Sequence, residues 1–83
     1  MKSYAVTFYY SFDDDVAVYL FDTQEDAVKF LVDSILAEYK IDVDENGWSS
    51  ECEFNEDKTY GVLRTFFQDG TDEMEVRVGN VYL

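Results

Sequence analysis

Tyr4 to Tyr10 alternates with period two, placing Tyr4, Val6, Phe8 and Tyr10 on one face of a strand. Val16 to Phe21 alternates in the same way, with Val16, Val18 and Leu20 on one side and Ala17, Tyr19 and Phe21 on the other. Between them Ser11-Phe12-Asp13-Asp14-Asp15 is short and turn-favouring, so the pattern predicts an opening β-hairpin closed by an acidic loop. Read across that loop, Val16, Val18 and Leu20 turn inward and Ala17, Tyr19 and Phe21 outward.

The period then changes. Val28, Leu31, Val32, Ile35, Leu36 and Tyr39 recur at helical spacing, while Lys29, Asp33 and Glu38 fall on the opposite side. Thr23 followed three residues later by Asp26 resembles a capping box, and Glu25 and Asp26 place negative charge where the helix dipole favours it. One amphipathic helix over 24–39 is predicted, with a stripe wide enough to cover one face of a sheet.

Asp42 to Gly47 reads as an acidic connector, after which Trp48, Ser50, Cys52 and Phe54 alternate with Ser49, Glu51 and Glu53. Asn55-Glu56-Asp57-Lys58 is a polar turn into a strand over Tyr60 to Phe67, and Asp69-Gly70 marks another turn. The last strand takes Met74, Val76 and Val78 inward and Glu73, Glu75 and Arg77 outward, and Gly79-Asn80 allows a bend before Val81-Tyr82-Leu83. The order is ββαβββ, an α+β fold in which one helix packs on one face of an antiparallel sheet. Residues 1–83 read as a single domain, without a proline, linker or repeat to mark a second unit.

Composition narrows the function classes. Six basic side chains against 19 acidic ones leave a net charge of −13, which sets the chain against nucleic-acid backbones and anionic membranes alike. A hydrophobic content of 47% is far above that of a charge-extended disordered chain. Histidine is absent, which removes the commonest general base and zinc ligand. The lone Cys52 closes no internal disulfide, so a reducing cytoplasm is the expected setting. No catalytic residues and no cofactor are expected, and the chain reads as a non-enzymatic binding protein.

Asp42-Val43-Asp44-Glu45-Asn46-Gly47, with Glu53 beyond it, fits the spacing of a calcium loop. Asp42, Asp44, Asn46 and Glu53 would be the metal ligands. Two departures count against it. Ser49 stands where an aliphatic residue is usual, and the residues around Glu53 alternate as a strand rather than forming an exit helix. A calcium-binding module therefore stands as an alternative reading.

The face of the sheet away from the helix is expected to carry Thr7, Tyr9, Ala17, Tyr19, Phe21, Glu51, Glu53, Tyr60, Val62, Arg64, Phe66, Glu73, Glu75 and Arg77. Aromatic residues mixed with acids on an uncovered face suggest a docking surface. Carboxylates two residues apart on a strand lie about 6.7 Å apart, near two axial steps of the phosphates along a DNA strand. Asp13, Asp14, Asp15, Tyr19, Glu51, Glu53, Tyr60, Phe66, Glu73 and Glu75 are thus the candidate contacts for a basic nucleic-acid-binding protein. A structural homodimer pairing these open faces is a further alternative.

Tyr9-Tyr10-Ser11-Phe12-Asp13-Asp14-Asp15-Val16, Phe21-Asp22-Thr23-Gln24-Glu25-Asp26-Ala27 and Asp44-Glu45-Asn46-Gly47-Trp48 together give the chain its likeness to known proteins. It resembles small acidic proteins carried by phages and mobile elements of Gram-positive bacteria, of the anti-CRISPR type. The resemblance is one of size, layout and composition. It implies an inhibitor of a nucleic-acid-binding defence enzyme such as a CRISPR effector, acting by DNA mimicry or steric block, and carries over no individual residue.

Overall fold

The computed structural model describes residues 2–81, and the residues Tyr82 and Leu83 expected beyond the Gly79-Asn80 bend lie outside them. Two strands, a helix and three strands follow in the expected order: β1 (Tyr4–Tyr10), β2 (Asp13–Phe21), α1 (Gln24–Lys40), β3 (Ser49–Phe54), β4 (Tyr60–Phe67) and β5 (Gly70–Asn80). They form one antiparallel five-stranded sheet of order β2-β1-β5-β4-β3, covered on one face by α1. The fold is α+β. Gly79 and Asn80 continue β5 opposite Ala5 and Tyr4 instead of bending away from the sheet.

The helix begins where its chemistry dictates. The Asp26 N–H donates to the Thr23 hydroxyl at 3.1 Å, satisfying one of the free donors of the first turn. Ala27, Leu31 and Ile35 are fully buried on the sheet beside Val6, Phe8, Leu63, Met74 and Val76. The stripe is narrower than its sequence period promised, because Leu36 stays 46% exposed. Gly61 lets the helix approach, since a Cβ there would lie 2.5 Å from Ile35 Cδ1 and 3.0 Å from Phe54 Cδ1.

Two local expectations are corrected. The hairpin turn is Ser11–Phe12 alone, and Asp13–Asp15 already belong to β2. Tyr10 pairs with Asp13 but Tyr9 with Val16, so Asp14 and Asp15 form a bulge and Phe8 falls opposite Ala17. A loop of residues 11–15 would instead set Phe8 opposite Val18. A one-residue change of register exchanges the faces of a strand, and β2 is turned over relative to the expectation. Ala17, Tyr19 and Phe21 lie on the helix side, and Val16, Val18 and Leu20 on the open face.

The second correction is the acidic connector. The helix runs on into a π-helical turn, Ile41–Glu45, in which the Asn46 N–H donates to the Ile41 carbonyl at 3.0 Å. Gly47, at φ +68°, takes the left-handed conformation that ends it, and the Trp48 N–H closes back on the Asp42 carbonyl at 2.8 Å.

Candidate functional site

Antiparallel strands bring alternate connections to the same end of a sheet. At one end meet the β1–β2 turn, the π-helical exit of α1 and the β4–β5 turn. Asp13, Asp14 and Asp15 follow the first at the head of β2, the second carries Asp42, Asp44 and Glu45, and the third carries Asp69 with Asp72 just beyond. Within these segments the one cationic residue is Lys40, at the last position of α1. Ser11 ties the first connection to β5: its N–H donates to the Glu73 carbonyl at 3.0 Å, and its hydroxyl accepts from the Glu73 N–H at 2.8 Å.

A cavity of about 180 Å³ opens among these connections, lined by Tyr10, Phe12, Glu38, Asp42, Leu63, Thr65, Asp72, Glu73 and Met74. Asp42 in its lining is buried with 4% exposed, and the Thr65 hydroxyl donates to its carboxylate at 2.9 Å. Ser50 donates in turn to the Thr65 hydroxyl at 3.1 Å. Burial, followed by the nearby Asp42 carboxylate, holds the Glu38 carboxyl above its ordinary range. Burial chiefly, with smaller contributions from Tyr19, Glu38 and Asp13, raises the Tyr10 phenol. The lining thus offers carboxylates and aromatic edges, and exposed Phe12 and Trp48 flank the same end of the molecule.

The open face is organised differently. Arg64 Nη1 lies 3.5 Å from Glu51 and 3.2 Å from Glu53, and its Nε lies 3.6 Å from Glu73. The hydrogen bond to Glu53 and the surrounding carboxylates hold the Arg64 guanidinium firmly charged. Arg77 pairs with Glu75 at 3.0 Å and lies over the Tyr9 and Tyr60 rings, 5.6 and 5.5 Å from their centroids. Tyr60 is held above its ordinary pKa, by burial first and Glu75 next. Glu51, Glu53, Glu73 and Glu75 therefore form an ion-paired network with two arginines, and most of the −13 charge lies elsewhere on the molecule.

The ten candidate contacts consequently divide. Asp13, Asp14 and Asp15 join the acidic end and are exposed. Glu51, Glu53, Glu73, Glu75 and Tyr60 share the arginine network, with Phe66 exposed on the same face. Tyr19 belongs to neither. It packs on the helix side against Phe8 and Phe30, with centroids 5.7 and 5.1 Å away.

The four calcium-ligand candidates are not brought together. Asp42 is buried on the helix side, whereas Glu53 projects from the opposite face to Arg64. Among the described residues no group of three or more histidine, cysteine or acidic side chains is placed to hold a metal ion.

The sequence period places Val16, Val18 and Leu20 inward because it takes residues 11–15 as the turn. The signal that could have corrected it is Asp13 itself, whose side chain accepts the Asp15 N–H at 3.0 Å and so favours the bulge. The roles of Arg64 and Arg77 follow only from strand pairing. No family model matches the chain, and neither the curated proteins nor the solved structures gave a match. Among the described residues no helix is long and apolar enough to cross a membrane.

Proposed function

We propose that the protein is a non-enzymatic inhibitor that docks its acidic end into the basic groove of a nucleic-acid-binding bacterial defence enzyme, in the manner of an anti-CRISPR protein. The observation that carries this reading is the convergence of three acidic connections around exposed Phe12 and Trp48, with Lys40 as their one cation. Uncompensated carboxylates supply long-range attraction to a cationic groove, and exposed aromatic rings supply short-range contact. The Glu51, Glu53, Glu73 and Glu75 face contributes less to steering than its sequence implies, because Arg64 and Arg77 already neutralise part of it.

The test is capture of partners on the immobilised protein, identification by mass spectrometry, and measurement of association rates against salt. A nucleic-acid-binding enzyme displaced by its own nucleic acid is expected. Its association should slow by about tenfold or more between low and physiological ionic strength. The triple variant Asp13→Asn, Asp14→Asn, Asp15→Asn should reproduce much of that loss, and Glu51→Gln with Glu53→Gln much less. Association that is indifferent to salt and to the aspartate substitutions rejects the proposal.

A further inference from the structure

We propose that the outer edge of β2, along Val16–Phe21, receives an extended, basic-flanked segment of the partner as an added sixth strand. The proposal rests on the functional reading above only for the partner's positive charge. β2 is an outermost strand and pairs with β1 alone among the described residues, so the backbone groups on its other side have no strand to bond. Natural sheets protect such edges with short strands, charged side chains or cover. The opposite edge shows this: β3 has six residues, and its open-face side chains include Glu51 and Glu53. β2 has nine residues, and beyond the Asp14–Asp15 bulge its open-face positions are Val16, Val18 and Leu20, exposed by 51%, 54% and 47%. An added strand would gain main-chain hydrogen bonds along this edge and cross-strand contacts with those three side chains.

Charge chooses the occupant. The apolar edge is bracketed by Asp13–Asp15 at its start and by Asp22 immediately after its end. A second copy adding antiparallel across a two-fold axis would set the aspartates of one bracket against those of the other, within a pair whose members each carry −13. A segment with alternating apolar residues between lysines or arginines meets opposite charge at both ends and apolar surface between them.

The probe is an eight-residue peptide in which valine and threonine alternate between paired terminal lysines, compared with the same peptide ending in glutamates. Titrated to millimolar concentration into the isotope-labelled protein, the lysine peptide should shift amides of residues 16–21 and slow their hydrogen exchange. Methylating the peptide's amides at one set of alternate positions should abolish binding, while methylating the other set leaves it intact. Val18→Lys, at an exposed position that leaves the core untouched, should weaken binding at least tenfold. Absence of protection in 16–21, or equal loss from both methylated sets, overturns strand addition even if a basic enzyme is captured by the acidic end. Equal binding of the glutamate peptide, or a dimer that Val18→Lys dissociates, overturns the basic occupant.

Discussion

Thr65 and Asp42, 23 residues apart in the chain, join the sheet to the π-helical turn by one hydrogen bond of 2.9 Å to a buried carboxylate. Thr65→Val keeps the shape and removes the donor. Stability should fall by about 1–3 kcal/mol, the cost of leaving a buried polar group unsatisfied. Urea denaturation of the variant checks this, and a loss below a few tenths of a kcal/mol would show that the carboxylate is solvated.

Glu38 predicts an unusual pH dependence. Its folded pKa is raised, by burial first and Asp42 second, so the folded state holds its proton more tightly than the unfolded chain does. The stabilising effect is fully present below the ordinary glutamate pKa and is lost as pH rises through the raised folded value. Urea midpoints for this protein should therefore increase on acidification from neutral pH toward the glutamate range, and Glu38→Gln should flatten that slope. Asp42→Asn should move the Glu38 titration, followed by carbon NMR, back toward its ordinary value.

Gly61→Ala tests the fit of helix on sheet. The added methyl meets the tip of Ile35, which can shift only against a fully buried surround, and the Phe54 ring beside it. A loss toward the lower part of the ~1–3 kcal/mol range for overpacking is expected. Ile35→Val, which removes the methyl nearest the new one, should recover stability in the double variant relative to the sum of the single changes.

Arg64→Gln leaves Glu51, Glu53 and Glu73 around an uncharged side chain. Because these pairs are partly solvated, the loss should be small at low ionic strength and smaller still in molar salt. Thermal melts at both salt concentrations check it.

Calcium should have no effect. With Asp42 and Glu53 on opposite sides of the sheet, millimolar calcium is expected to change neither the melting temperature nor the emission of Trp48, which packs edge-on to Phe67 at 5.1 Å.

Periodicity alone reveals the order of elements, the helix bounds to within one residue and the inward rows Tyr4, Val6, Phe8, Tyr10 and Met74, Val76, Val78. It does so because alternation and helical spacing are local properties of the chain. What stays hidden depends on how distant segments align. The face of β2 turns on whether residues 11–12 or 11–15 form the turn, and the sequence offers no Asn-Gly or Asp-Gly pair at Ser11-Phe12 to decide it. Likewise, outward-facing glutamates read as an acidic face until the pairing Glu51↔Arg64↔Glu73 is known. The acidic end is a product of topology, for its three connections are separated along the chain and adjacent only once the strands reverse.

The position of β5 bears on how the molecule comes to exist. It lies between β1 and β4, so the β1–β2 and β3–β4 hairpins share no strand contact until it is inserted. A nascent chain that has emerged from the ribosome only as far as Phe67 holds both hairpins and the helix, but the row that would unite them is missing, and Val6, Phe8 and Leu63 lack the strand on their other side. Assembly of the sheet therefore waits for β5, and an interrupted translation product would present open strand edges to chaperones and proteases in place of a partial fold.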